Sequence, residues 1–184
     1  MRVSDSSYEG YVNHLVAIVH KLPVSDEMRA SFLQQVQDYR DVADPVRGAP
    51  QPNIQWTRGN ARGGYRNDIP GLISEILSQY VLSIFYENAV VVAQDQHTQV
   101  NRAIDMFVNR FGVQSKTFCF KGPKAYFEST WGAGEADWVT LTDIDDHETF
   151  VVPISFIRDN AGKWVDYRDL KSAAIHYLNM HKVY

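Results

Sequence analysis

Residues 69–87 read I-P-G-L-I-S-E-I-L-S-Q-Y-V-L-S-I-F-Y-E and predict the central helix of the fold. The apolar residues of this stretch recur at helical spacing, and they are Ile69, Leu72, Ile73, Ile76, Leu77, Tyr80, Val81, Ile84 and Phe85. The polar residues between them fall on the opposite face, and they are Ser74, Glu75, Ser78, Gln79 and Glu87. This pattern matches the α-helical period of about 3.6 residues and not the alternation of a strand. At ~1.5 Å per residue the helix spans roughly 28 Å, the diameter of a small domain.

The residues next to this stretch predict where the helix begins. Asp68 is placed to accept hydrogen bonds from the first free N–H groups as an N-cap. Pro70 falls in the first turn, where no intrahelical donor is required. The sequence therefore predicts a helix that begins at Ile69, directly after Asp68.

Length and composition limit the classes of protein to consider. The chain has 184 residues, 45% of them hydrophobic, and is long enough to bury a core without disulfide bonds or structural metal ions. Its net charge of −4 argues against non-specific binding to nucleic acid. The single cysteine, Cys119, excludes an internal disulfide and a thiolate-rich zinc site, and it fits a reducing compartment. No cofactor is predicted.

The apolar segments do not predict membrane insertion. The N-terminus is polar and lacks the pattern of a secretory signal. The most apolar window, residues 69–93, carries Glu75 and Glu87, and a spanning helix would place both carboxylates in hydrocarbon. We therefore predict a cytoplasmic protein with no membrane partner.

Helices are also predicted on both sides of the central stretch. Ser6 and Glu9 have capping-box spacing before a helix that ends at Pro23. Ser25 then caps a second helix that reaches about Arg40, so the short link predicts an antiparallel helical hairpin. A further helix is predicted over 96–111, with Gly112 as its left-handed stop.

After Val113 the period changes to short strands separated by turn-forming residues. The predicted strands cover residues 117–121, 125–130, 137–143, 149–157 and 163–166. Pro153 removes a ladder hydrogen bond and predicts an edge or a bulge. Asp166 is predicted to cap a last helix that carries Leu170, Ala174, Tyr177, Leu178 and His181 along one side.

The predicted fold class is therefore α+β, with about four N-terminal α-helices followed by a meandering antiparallel β-sheet and a C-terminal helix. We predict a single domain over residues 1–184. Its first part, 1–112, is mainly helical and includes a long loop at 41–68. Its second part, 113–184, holds the sheet and the closing helix.

The loop 41–68 is the first candidate site. It is far longer than the usual connection of about 4–6 residues, and such loops are commonly functional or disordered. Arginine side chains pair with phosphate or carboxylate, and aromatic rings offer stacking faces to bases. The predicted ligand-binding or partner-binding residues are Trp56, Arg58, Arg62, Tyr65 and Arg66. The alternative interpretation is a solvated or protein-covered loop whose arginines pair with acidic residues of the sheet.

The second candidate site is an acidic hairpin between residues 125 and 157. Its seven acidic residues are Glu128, Glu135, Asp137, Asp143, Asp145, Asp146 and Glu148. Oxygen ligands suit Mg²⁺ or Ca²⁺, but the spacing is not that of a calcium loop, so we predict a turn of solvated charges and no metal site. His147 is interpreted as a turn histidine, and Cys119 as a small buried hydrophobic residue.

These features predict a non-enzymatic intracellular binding protein of the inhibitor, immunity, chaperone or viral accessory type. It would act on a protein partner through a protein–protein interface and self-associate, because Trp, Tyr and Arg dominate such interfaces and no catalytic residues can be assigned. One alternative is the binding of RNA or nucleotide phosphate through residues 56–66, within the loop 41–68. A second alternative is a small-molecule enzyme with a pocket between the sheet and the helices.

Overall fold

The computed structural model describes residues 8–43, 65–86, 91–93, 102–143 and 148–179, and over these residues the fold is α+β, as predicted. The described helices are α1 (Tyr8–Lys21), α2 (Asp26–Ala43), α3 (Tyr65–Phe85), α4 (Ile154–Asn160) and α5 (Tyr167–Ala173). The described strands are β1 (Val91–Ala93), β2 (Met106–Val108), β3 (Phe111–Phe118), β4 (Phe120–Lys121), β5 (Lys124–Tyr126), β6 (Trp138–Asp143), β7 (Glu148–Pro153), β8 (Trp164–Asp166) and β9 (His176–Asn179). None of the described helices combines the length and apolar character needed to cross a bilayer.

The chain divides into two compact units, and the division falls within α3. The first unit comprises Met1–Ile73 with Val183–Tyr184, and the second comprises Ser74–Lys182. A single domain over the whole chain remains a prediction.

The described part of the first unit is built on the predicted helical hairpin of α1 and α2. Ser25 caps α2 as expected, because its Oγ accepts a hydrogen bond of 3.2 Å from the N–H of Met28. Arg29 closes the C-terminal end of α1, where its guanidinium donates to the carbonyl oxygens of Val19, His20, Leu22 and Val24 over 2.8–3.3 Å. Arg29 thereby supplies donors to two of the last carbonyls of α1, those of Val19 and His20, and to two carbonyls of the link that follows.

Helix α3 begins earlier than the sequence predicts. Its first residue is Tyr65, so Asp68 lies inside the helix and is not its N-cap. Pro70 is the sixth helical residue and not a first-turn residue. The prediction of the start was wrong because a proline at this position removes a single backbone bond, which the rest of a 21-residue helix tolerates.

The second unit contains a mixed six-stranded sheet with the order β1-β2-β3-β6-β7-β9. Strands β3 and β6 are parallel, from Val113↔Trp138 to Phe118↔Asp143, whereas the other neighbours in this sheet are antiparallel. A purely antiparallel meander was therefore the wrong prediction for this sheet. The connection from β3 to β6 carries β4 and β5, which form a separate three-stranded sheet with β8.

The predicted helix over 96–111 is wrong for residues 103–111, whereas the described residue Arg102 is helical. Strands β2 and β3 form a hairpin there, with Val108 opposite Phe111 and Met106 opposite Val113. Asn109 in the turn has φ of 53°, a left-handed conformation that asparagine tolerates better than most residues. Gly112 lies inside β3, where a Cβ atom would come within 2.8 Å of the Ile104 side chain.

The C-terminal part of the second unit alternates short helices and strands. Strand β7 ends at Pro153, and α4 begins at the next residue instead of the predicted continuation of the strand. Asp166 caps α5 as predicted and accepts a 3.0 Å hydrogen bond from the N–H of Arg168. The last helix ends at Ala173, however, because residues 176–179 pair with β7 as strand β9.

Both faces of the central strands of the six-stranded sheet are covered within the second unit. On one face, a hydrophobic core joins the sheet to α4, α5 and the three-stranded sheet through Phe127, Leu141, Phe150, Ile157 and Leu170. The other face contacts the part of α3 that starts at Ser74, where Ser74 and Ser78 bond to β3 and β6. On the side of the three-stranded sheet away from this core, the described side chains of Tyr126 and Trp164 are exposed.

Candidate functional site

The three-stranded sheet has one buried and one exposed face. Ala125 and Val165 lie opposite each other and point into the core. Because side chains alternate along a strand, their neighbours Tyr126 and Trp164 form a cross-strand pair on the outer face. Lys121 belongs to the same outer face, where it lies opposite Lys124.

An open pocket of about 330 Å³ lies against this outer face. We call it the aromatic pocket, and its lining residues are Thr117, Phe118, Cys119, Lys121, Tyr126, Glu128, Trp131 and Trp164. They come from the end of β3, from β4 and β5, from the segment after β5 and from β8. The pocket is therefore assembled from three separate parts of the chain, all within the second unit.

Two of the lining rings are unusually exposed for aromatic side chains in a folded protein. Trp164 is 51% exposed and Tyr126 is 40% exposed, and their ring centroids are 5.5 Å apart. Trp131 is half-buried and packs on the fully buried Phe127 at a centroid distance of 5.3 Å. The pocket thus presents aromatic surface that has not been used to build the core.

The segment that carries Trp131 is held in place by Arg158 of α4. Its guanidinium donates hydrogen bonds of 3.1 Å to the carbonyl oxygens of Gly132 and Gly134. Gly132 has φ of 81°, and a Cβ atom there would approach the Arg158 side chain to 2.9 Å. The close contact requires glycine, so this wall of the pocket has a defined backbone conformation.

The polar groups of the pocket carry both signs of charge. Lys121 places its ammonium nitrogen 5.9 Å from the centroid of the Trp164 ring, within the range of a cation–π contact. Glu128 adds an exposed carboxylate.

Cys119 is exposed and lines the pocket, so the prediction of a buried thiol was wrong. The reason is that Phe118 turns into the core and Phe120 packs against it, which leaves the residue between them pointing outward.

A second polar region lies between α3 and the six-stranded sheet. Ser74 and Ser115 bond through their hydroxyl groups at 2.8 Å, and Ser78 donates to Thr140 at 2.6 Å. All four side chains are buried. We call this group the hydroxyl layer, and it satisfies its polar atoms inside the unit instead of exposing them.

Glu75, Asp105 and Lys116 form a group of interacting ionisable side chains at the hydroxyl layer. Burial, and after it the charge of Asp105, raise the pKa of Glu75 to about 8, and Lys116 opposes this shift. Burial also raises the pKa of Asp105, against the effects of Lys116 and of the Ser115 N–H, which donates to Asp105 at 2.6 Å. Glu75 is therefore largely protonated at neutral pH and can donate a proton, a property that general acids share.

Two of the described carboxylates of the acidic hairpin, those of Asp143 and Glu148, are buried, which corrects the prediction of solvated charges for these two residues. Glu128, Glu135 and Asp137 are exposed. Asp143 is 1% exposed and Glu148 is 9% exposed. Glu148 accepts hydrogen bonds from Tyr177 and Asn179. Burial and the bond to Glu148 raise the pKa of Tyr177. Asp137 accepts from the N–H of Gly112 at 2.8 Å.

Asp145, Asp146 and His147 lie outside the described residues. Among the residues that the structure describes, no group of three or more His, Cys, Asp or Glu side chains is arranged to hold a metal ion.

The binding of a ligand or partner by the five residues named from the sequence stays a prediction. Trp56, Arg58 and Arg62 lie outside the described residues, and Tyr65 and Arg66 form the start of α3. The sequence did contain signals for the aromatic pocket, namely the alternation in K-A-Y-F-E over 124–128 and in K-W-V over 163–165. Those signals do not show which strands are neighbours.

No protein family matches this sequence, and neither a curated protein nor a solved structure matches it. The function is therefore inferred from the geometry of the site alone.

Proposed function

We propose that this is a binding protein, of the inhibitor, immunity, chaperone or accessory type, whose interface with a protein partner is centred on the aromatic pocket. The observation that carries the proposal is the adjacent pair of exposed rings, Trp164 and Tyr126, at the edge of a pocket. Tryptophan and tyrosine are the residue types that most often dominate the binding energy of protein interfaces.

The available energy is sufficient for a specific interaction. An aromatic side chain buries about 150–250 Å² when it is fully covered, so a half-exposed ring offers on the order of 100 Å² to a partner. At ~25 cal/mol per Å² this corresponds to about 2–3 kcal/mol for each of the two rings. The bonds from Arg158 fix the Trp131 segment before binding, which lowers the entropy lost on association.

The test is a selection of peptides from a random display library against the whole protein. The selected peptides are then titrated against wild type, against Trp164→Ser and against Val92→Thr. Val92 is a fair control because it is 48% exposed, lies in the same unit and is not part of the pocket lining.

We expect Trp164→Ser to raise the dissociation constant at least tenfold, or about 1.4 kcal/mol, and Val92→Thr to leave it unchanged. Peptides that bind the Trp164 variant as tightly as wild type would refute the proposal, and so would a failure to select any peptide. Circular dichroism checks that both variants are folded.

A second candidate function is acid–base catalysis on a small molecule. It is favoured by Glu75, whose pKa of about 8 suits a general acid at neutral pH, and by its neighbours Asp105 and Lys116. The test is a metabolite panel monitored through the carboxyl carbon resonance of Glu75. If no compound shifts this resonance relative to the free protein, the catalytic alternative is wrong.

A further inference from the structure

We infer that the aromatic pocket receives a cationic side chain, arginine or lysine, from a basic segment of the partner protein. This inference rests on the proposed function and adds the chemistry of the partner. Its starting point is the lining, which combines the rings of Tyr126, Trp131 and Trp164 with the carboxylate of Glu128. Aromatic faces carry partial negative charge and attract cations, and a carboxylate strengthens the attraction.

The protein already places a cation of its own on one of these rings. The Lys121 ammonium lies over the Trp164 ring at 5.9 Å, although this side chain is exposed to solvent. Lys121 also lies directly opposite Lys124 on the neighbouring strand, an arrangement in which like charges repel. The contact with Trp164 shows that the ring is accessible to a positively charged group, and Lys121 occupies the place that a partner's side chain would take.

The size of the pocket agrees with a single side chain. Ligand pockets commonly measure about 300–1,000 Å³, and the aromatic pocket, at about 330 Å³, lies at the lower limit. A long, flexible cation such as arginine can lay its guanidinium on a ring while its stem contacts a second ring. Larger ligands would extend beyond the lining.

Charge complementarity favours a basic partner over an anionic one. The chain carries 22 acidic against 18 basic residues, with a net charge of −4, so its overall field attracts positive charge. Within the lining, Lys121 is the residue that an anion such as a nucleotide would need, and its ammonium already faces Trp164. A cation in the pocket interacts favourably with the aromatic rings and with the carboxylate of Glu128 at the same time.

The experiment uses small probes with the whole protein and follows the indole N–H resonance of Trp164. The cationic probe is N-acetyl-arginine amide, and the matched neutral probe is N-acetyl-citrulline amide, which has nearly the same shape. N-acetyl-glutamate amide and uridine monophosphate serve as anionic probes. Each probe is titrated against wild type, Lys121→Met and Glu128→Gln.

We expect a saturable shift with the arginine probe and binding of the citrulline probe that is at least threefold weaker. Lys121→Met should tighten arginine binding about two- to fivefold, because it removes the competing cation, and Glu128→Gln should weaken it at least twofold. The arginine affinity should fall as salt is added. Both substituted side chains are exposed, so the fold is expected to persist.

Three results would overturn the inference. The first is equal binding of the arginine and citrulline probes, and the second is the absence of a saturable shift with arginine. The third is tighter binding of an anionic probe that Lys121→Met abolishes, which would identify an anion site.

The proposed function is judged separately. If the selected peptides depend on Trp164 but insert leucine or phenylalanine, the binding proposal stands and the cationic inference is wrong. If no selected peptide depends on Trp164, the binding proposal itself is wrong.

Discussion

The carboxyl group of Glu75 gives a defined prediction for the pH dependence of stability. Burial at the hydroxyl layer, followed by the charge of Asp105, raises its pKa from 4.5 to about 8. Below pH 4.5 the group is protonated in both the folded and the unfolded chain, so its full contribution to stability is present. As the pH rises from 4.5 to 8, the unfolded chain releases this proton first, and the folded state becomes less stable relative to it.

The magnitude follows from the interval between the two pKa values. At pH 7 the solution is 2.5 pH units above the ordinary value of 4.5, while folded Glu75 is still largely protonated. At about 1.4 kcal/mol per unit, retention of the proton costs on the order of 3 kcal/mol at pH 7. This loss is a large part of the ~5–15 kcal/mol by which a typical domain is stable.

Glu75→Gln removes the ionisation and keeps the size and polarity of the side chain. We expect this variant to unfold at pH 7 with a free energy about 2–3 kcal/mol higher than that of wild type, and to show no such advantage at pH 4. Urea unfolding measures both values. Tryptophan fluorescence is a suitable signal, because the ring of Trp138, one of the four tryptophans, stacks on Phe111 at 4.7 Å within the same unit and loses this contact on unfolding.

The control is Glu128→Gln, which changes an exposed carboxylate of the same unit and should leave the pH dependence as it is in wild type. The reasoning would be refuted if wild type and Glu75→Gln lost the same free energy between pH 4 and pH 7. It would also be refuted if Glu75→Gln were less stable than wild type at pH 7, since an ionised, favourably paired Glu75 would produce that result.

Three further predictions concern stability, the pocket wall and the thiol. Arg29→Ala should lower the free energy of unfolding by about 2–3 kcal/mol in urea, because four hydrogen bonds to carbonyl oxygens are lost. Arg29→Lys should not restore the lost stability. A loss below ~1 kcal/mol for Arg29→Ala would contradict the prediction. Gly132→Ala should weaken binding of the arginine probe and lower the free energy of unfolding by about 1–3 kcal/mol. The control is Gly122→Ala, which should lower it less, because Gly122 also has a positive φ but has open space around it. Equal losses in the two variants would argue against a contact with Arg158. Cys119 should react with iodoacetamide in the native protein and be protected by the arginine probe, whereas labelling that requires urea would show that the thiol is buried.

Most of the regular structure was predictable because local chemistry determines it. The capping residues Ser25 and Asp166 mark helix starts that the structure reproduces. The strand predicted over 137–143 differs from β6 (Trp138–Asp143) by one residue, because the alternation of side chains and the turn-forming neighbours indicate the same bounds there. The prediction for residues 103–111 was wrong because their apolar side chains fit a helical period and a tight hairpin equally well, and only pairing with neighbouring strands decides between the two.

The aromatic pocket could not be predicted because its parts are distant in sequence. Lys121, Tyr126 and Trp164 meet through the pairing of β5 with both β4 and β8, which is a property of the topology and not of any one segment. The sequence predicts a site in the loop 41–68, where arginines and aromatic residues are neighbours along the chain. The residues that line the aromatic pocket are not neighbours along the chain, so the sequence alone does not group them.

The hydroxyl layer shows why a polar stripe on a helix does not by itself indicate contact with solvent. Ser74 and Ser78 belong to the polar face of α3, and both are buried. The face of the sheet that meets them is also polar, since Ser115 and Thr140 supply hydroxyl partners. The alternation of β6 therefore separates two buried faces, one apolar with Leu141 in the main core and one polar beneath α3. Two polar faces that form hydrogen bonds with each other in the interior have the same sequence pattern as two polar faces that are exposed to water.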